Sequence, residues 1–160
     1  MANNNTDCCR NLFGGFNFEN LKTAKPPKEK GIYVLKVNRK GKPIGEIVEQ
    51  AKRFVEQLNW PMVGDFIRRR IMRLEKIEQC PVIYIGSAGA KKPNRGNLSG
   101  RYNMFAGRHT AMYPICALLY LDWDLEYGWI QDEHPDEAEK KLKQKYQERH
   151  EGKLPPLVDR

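Results

Sequence analysis

Two short β-rich runs, Gly31-Ile-Tyr-Val-Leu-Lys-Val37 and Val82-Ile-Tyr-Ile85, constrain this chain most, because a helical period fills most of the interval between them. The first run ends at Asn38-Arg-Lys-Gly41, a turn signal, and Lys42-Pro-Ile44 is expected to begin a return strand. From Glu46 the period changes: Ile47, Val48, Ala51, Phe54, Val55 and Leu58 fall on one helical face. Asn59-Trp60-Pro61 breaks that helix, since proline disfavours helical backbone at the residue before it. A second helix is expected to place Val63, Phe66, Ile67, Ile71, Leu74 and Ile77 along one side and to stop at Pro81. Its other side carries Arg68, Arg69, Arg70 and Arg73, which read either as a solvated face or as contacts to DNA phosphates.

Beyond Gly86 come a basic loop, Lys91-Lys-Pro-Asn-Arg-Gly-Asn97, and a helix capped by Ser99 that runs through Arg101 to about Phe105. Gly107-Arg-His-Thr110 reads as a turn, Met112 to Tyr120 as a more buried helix, and Leu125 to Ile130 as a third strand. Pro135 opens a charged helix reaching about Arg149, where its missing N–H costs nothing. Residues 1–30, rich in Asn and Lys and containing Pro26-Pro27, read as a loose arm anchored by Leu12, Phe13, Phe16 and Phe18. The expected class is therefore α/β (α+β), one domain over 31–157. A small, mainly antiparallel central sheet is flanked by helices, with 46–79 as a helical insertion.

Charge bears on function. The net charge of +8 and pI near 9.4 suit a polyanionic partner. Residues 1–110 hold 21 Lys and Arg against 9 Asp and Glu, whereas residues 111–160 hold 7 against 11. A basic body followed by an acidic segment fits a phosphate-gripping surface beside a carboxylate-bearing metal site; solvated helix faces on a basic protein would give the same numbers. No apolar run approaches the roughly 18 to 20 residues that span a bilayer. Met1-Ala-Asn-Asn-Asn-Thr lacks the basic-then-apolar pattern of a signal peptide, so a cytoplasmic location with no membrane partner is expected. Adjacent Cys8 and Cys9 make a poor zinc pair and no Cys-x-x-Cys stands elsewhere. Cys8, Cys9, Cys80 and Cys116 are thus expected to be reduced structural thiols.

The ordered set Gly31-Ile-Tyr33, Tyr84-Ile-Gly-Ser-Ala88, Leu98-Ser-Gly-Arg101-Tyr and Glu139-Lys-Lys-Leu142 resembles the GIY-YIG nuclease superfamily. The resemblance covers 31–37 and 82 to about 157, and residues 107–129 look like one bacterial and archaeal branch of it. Tyr33 and Tyr84 lie farther apart than is usual there, although restriction-type members also have long spacings; the two helices of 46–79 fill the gap.

The resemblance implies a metal-dependent endonuclease acting on DNA, with Mg²⁺ or Mn²⁺ as cofactor. Tyr33 would act as, or help, the general base, which for a group titrating near 10 needs a cation nearby. Tyr84 would position the phosphate, Arg101 would grip it bidentately, and Glu139 would be the single protein ligand to the metal. Glu137 is the alternative ligand; it sits about 200° around the helix from Glu139, so both cannot face one ion. Phe105 stands where relatives carry a His or Tyr, which leaves His109 to assist proton transfer or to bind phosphate with Arg108. Val158 stands where relatives often carry Asn, with Asp159 next to it. Lys91, Lys92, Arg95 and Arg108 join Arg68, Arg69, Arg70 and Arg73 as expected DNA contacts. A catalytically silent nucleic-acid-binding module on the same scaffold remains the first alternative, and a protein that binds acidic partners the second. Cutting both strands takes two active sites, which leaves a homodimer open.

Overall fold

The computed structural model describes residues 8–89, 96–104 and 111–158. Its centre is a four-stranded, wholly antiparallel sheet in the order β1-β4-β2-β3, built from Asn17–Asn20 (β1), Gly31–Arg39 (β2), Val82–Ala88 (β3) and Asp124–Gln131 (β4). Helices α1 (Gly45–Leu58) and α2 (Pro61–Ile71) lie between β2 and β3, where the sequence expects an insertion. Helices α3 (Leu98–Met104) and α4 (Met112–Tyr120) precede β4, and α5 (Pro135–Arg149) follows it. The antiparallel α+β class is as expected. No helix among the described residues is long and apolar enough to cross a membrane.

Strand alternation divides the core. Tyr33 and Leu35 of β2, with Leu125, Tyr127 and Trp129 of β4, face a layer formed by Val48 of α1, Leu74, Leu98 of α3, and Ile115 and Leu118 of α4. Ile32, Val34 and Ile85 face the other way, onto Leu142 and Tyr146 of α5 and Cys9 and Phe13 of the arm.

The break at Asn59-Trp60-Pro61 falls where its residue types require. Asn59 takes the left-handed backbone (φ 49°), Trp60 is extended, and Pro61 opens α2. Arg68, Arg69 and Arg70 occupy the last turn of α2, where cations complement the helix dipole. The helix does not reach Pro81. The chain tightens into a 3₁₀ turn at Met72–Lys76, which buries Leu74 completely.

Three local expectations change. Lys42 does not begin a strand: its N–H donates to the Leu121 carbonyl (2.7 Å), and its own carbonyl accepts from Trp123 Nε1 (2.7 Å). This latches the segment to the entry of β4, while Pro43 has no N–H for a ladder. Asn97, rather than Ser99, caps α3, its Oδ1 accepting from Gly100 N at 2.7 Å. The arm is not loose where it is described: β1 pairs with β4 across Asn17↔Trp129 to Asn20↔Glu126. The Phe18 ring lies over Gly128, so close that a Cβ there would meet it at 2.3 Å.

Candidate active site

The glycine of each signature tripeptide sits where a side chain would not fit. Tyr33 stands opposite Gly86 in the β2–β3 ladder. Its phenol crosses β3 over that glycine, and a Cβ at Gly86 would lie 2.5 Å from both Cζ and the hydroxyl oxygen of Tyr33. Gly31 is equally tight, since a Cβ there would meet the Ile130 carbonyl oxygen at 2.1 Å and Leu98 Cδ1 at 2.9 Å. Gly86 makes room for the tyrosine rings, and Gly31 for the β4 backbone and Leu98.

Tyr33 stacks between Tyr84 (centroids 5.8 Å apart, 17°) and Tyr127 (5.5 Å, 15°), with Tyr102 edge-on to Tyr127 at 5.2 Å. Burial pushes the Tyr33 phenol well above the usual tyrosine range; Tyr84 and Tyr127 raise it further, while Arg101 opposes them. Tyr84 is raised by burial too, and the negative charge of Glu139 adds to it. A hydrogen bond donated by Tyr33, and the Arg101 charge, pull it back. Both phenols are neutral near pH 7. This limits the part expected of Tyr33, because a buried phenol held above 10 is a donor before it is a base.

Arg101, on α3, makes all three stacked tyrosines more acidic than burial alone would leave them, which places its positive charge beside them. Among the described residues its Nε is buried without a hydrogen-bond partner, and an Nη donates to the Met104 thioether at 3.6 Å. An unsatisfied buried donor costs about 1–3 kcal/mol. A guanidinium held this way is preorganised for an oxyanion.

Glu139 lies on α5, across the edge strand. Its Oε2 accepts from Ser87 Oγ, and its Oε1 accepts from Lys143 Nζ at 2.5 Å. Ser87 is the one buried polar side chain among the described residues. Glu139 also opens on a solvent groove of about 540 Å³ that Lys143 and Gln147 help to line. Glu137 is exposed and lines a different recess, with Gly89 and His134. Of the two carboxylates, Glu139 therefore stands beside Tyr84. The arrangement differs from a cluster on one sheet face. Tyr33 and Tyr84 belong to the α3–α4 side, Ser87 to the α5 side, and the groups meet around the β3 edge.

Ser87 and Lys143 were given no role by sequence reasoning. Lys143 was within reach of it, since it lies one helical turn after Glu139. Ser87, next to the second tripeptide, required knowing which face β3 turns toward α5.

The expected DNA contacts separate by burial. Arg68 and Arg69 are exposed. The Arg70 guanidinium packs over Phe66 (5.5 Å) with its Nε buried, and Arg73 donates to the Leu157 carbonyl (3.4 Å). These two help hold α2 and the C-terminal segment in place. Val158 lines a cleft beside Cys80 and His150. Lys91, Lys92, Arg95, Phe105, Arg108, His109 and Asp159 lie outside the described residues. No protein-family description, curated protein or solved structure matches this chain.

Proposed function

We propose that this protein is a metal-dependent endonuclease that hydrolyses DNA phosphodiester bonds at the edge of β3. The observation that carries this reading is Arg101, a partly buried guanidinium with an unsatisfied Nε, set beside two stacked phenols with a carboxylate across the strand. A scissile phosphate supplies the anion that this guanidinium lacks, and its paired N–H groups match two phosphate oxygens. Tyr33 stays protonated and donates to the Tyr84 oxygen, which leaves the Tyr84 O–H to orient the phosphate and its attacking water. Tyr33 is then a positioning residue, and the Arg101 charge keeps both phenols from rising further.

The donor set suits Mg²⁺ or Mn²⁺. Glu139 and the Ser87 hydroxyl beside it are hard oxygen ligands, and the Lys143 ammonium shows that cationic charge is accepted at Oε1. Glu139 would hold the ion after the flexible Lys143 stem swings aside; bound there, the ion would stabilise the leaving oxygen and acidify a coordinated water.

Glu139→Gln tests this directly, because it keeps the side-chain shape and removes the charge. Metal-dependent nicking of supercoiled plasmid should fall below detection while duplex binding in chelator is retained. Undiminished nicking would remove Glu139 from the site. The second reading, a silent nucleic-acid-binding module, draws on the ion pair that already occupies Glu139; wild-type protein that binds DNA and never cuts it would favour this one.

Arg68 and Arg69 are the exposed cations of the α2 arginine cluster. Reversing both, as Arg68→Glu with Arg69→Glu, should weaken DNA binding. It should also make the salt dependence shallower by about 0.9 per lost phosphate contact. A titration across salt concentrations measures that slope, and an unchanged slope would assign both arginines to the α2 dipole alone.

A further inference from the structure

Far from Glu139, three thiols and an imidazole converge. Cys8 and Cys9 come from the arm, Cys80 from the segment before β3, and His150 from the C-cap of α5, and their ligand atoms all lie within 4.8 Å of one another. Cys9 Sγ is 3.7 Å from Cys8 Sγ, 3.6 Å from Cys80 Sγ and 3.9 Å from His150 Nε2. With metal–sulfur bonds of about 2.3 Å, the edge of a tetrahedral thiolate site is about 3.8 Å. Sequence adjacency had counted against Cys8 and Cys9 as a zinc pair. Residues 8–12 form a turn, closed by Leu12 N donating to the Cys9 carbonyl at 3.0 Å, and both sulfurs face one point.

The surroundings also fit a ligand set. His150 Nδ1 is 2.7 Å from the Tyr146 carbonyl oxygen. A carbonyl only accepts, so Nδ1 carries the hydrogen, which leaves Nε2 turned toward the sulfurs as the ligand atom. The Tyr146 ring stacks on the imidazole at 3.8 Å and fixes its plane. Arg149 donates to the Cys8 carbonyl at 3.1 Å, so a cation stands beside a site that three thiolates would make anionic. Cys80 and His150 line an open cleft of about 720 Å³, which gives an ion a way in.

The geometry points to a structural zinc site formed by Cys8, Cys9, Cys80 and His150, which ties the arm to the start of β3 and the end of α5. The thiols release their remaining protons to solvent as the ion binds, with no change of oxidation state. Soft thiolates select zinc over Mg²⁺, and Glu139 lies about 16 Å away along the α5 axis, at about 1.5 Å per residue. The two ions therefore belong to different ends of one helix.

The test is elemental analysis of the full chain, purified under reducing conditions without chelator. About one zinc per chain is expected, retained in Glu139→Ala and lost in Cys80→Ser and in His150→Ala. Cobalt exchanged into wild type should give the strong visible bands of a tetrahedral ion with sulfur-to-cobalt charge transfer. Removing zinc should lower the melting temperature, and restoring it should reverse the shift. Folded wild-type protein that takes up no zinc overturns the assignment, as does a Cys9–Cys80 disulfide in protein kept reduced, or iron in place of zinc. Wild type alone decides these outcomes, even if a cysteine variant fails to fold.

Discussion

Arg101→Ala is expected to slow DNA cleavage by about 10²–10³-fold, equivalent to roughly 2.7–4 kcal/mol of lost transition-state stabilisation. The expectation rests on how the native chain holds this group. The guanidinium has a buried Nε without a partner and an Nη on a thioether, so its charge is little engaged until an anion arrives. Folding should suffer little, since truncation removes an unsatisfied donor together with the side chain. Arg101→Lys separates charge from geometry: lysine keeps the positive charge but cannot make the paired contact, and most of the loss should remain. Single-turnover cleavage beside a thermal melt makes the comparison. A variant that cuts normally, or one that loses activity only because it unfolds, would argue against phosphate binding by Arg101.

Gly86→Ala should lower stability substantially. The added methyl would stand 2.5 Å from the Tyr33 phenol and 2.9 Å from the Tyr84 ring. Tyr33 has nowhere to go, being 1% exposed and stacked between Tyr84 and Tyr127. Overpacking of this kind costs about 1–3 kcal/mol, or roughly 3–10 °C in melting temperature for a chain of this size. Cleavage should fall as well, because displacing the Tyr33 phenol disturbs the hydrogen bond to Tyr84. Gly45→Ala is the control. A Cβ there meets nothing within 4 Å, so stability should stay within about 0.5 kcal/mol of wild type. Equal melting temperatures for the two variants would contradict the packing described around Tyr33.

The parts of the fold that could be read in advance were those whose signal is local. The apolar runs at 31–37 and 82–85, the helical stripes on either side of Asn59-Trp60-Pro61, and Pro135 at the start of α5 each carry their own period or stop. β1 was missed because Asn17-Phe-Glu-Asn20 has no apolar alternation; its partner is the backbone of β4, and its fit depends on a glycine more than a hundred residues away. The same limit applies to the sites. Tyr33 and Tyr84 could be singled out from their glycines, but the place of Ser87 depends on the β2–β3 register. Arg70 and Arg73 share a stripe with Arg68 and Arg69, and only packing against Phe66 and Leu157 sets them apart. The cysteine cluster joins three distant segments, and no spacing within any one of them marks it.

The most direct measurement is wild-type protein, free of contaminating nuclease, on supercoiled plasmid with Mg²⁺ or Mn²⁺ titrated against chelator. Metal-dependent conversion to open-circular or linear DNA, stopped by chelator and restored by excess metal, is the result expected of a nuclease at the β3 edge. No conversion of plasmid or branched DNA at any metal concentration, by folded protein that binds both, would contradict it.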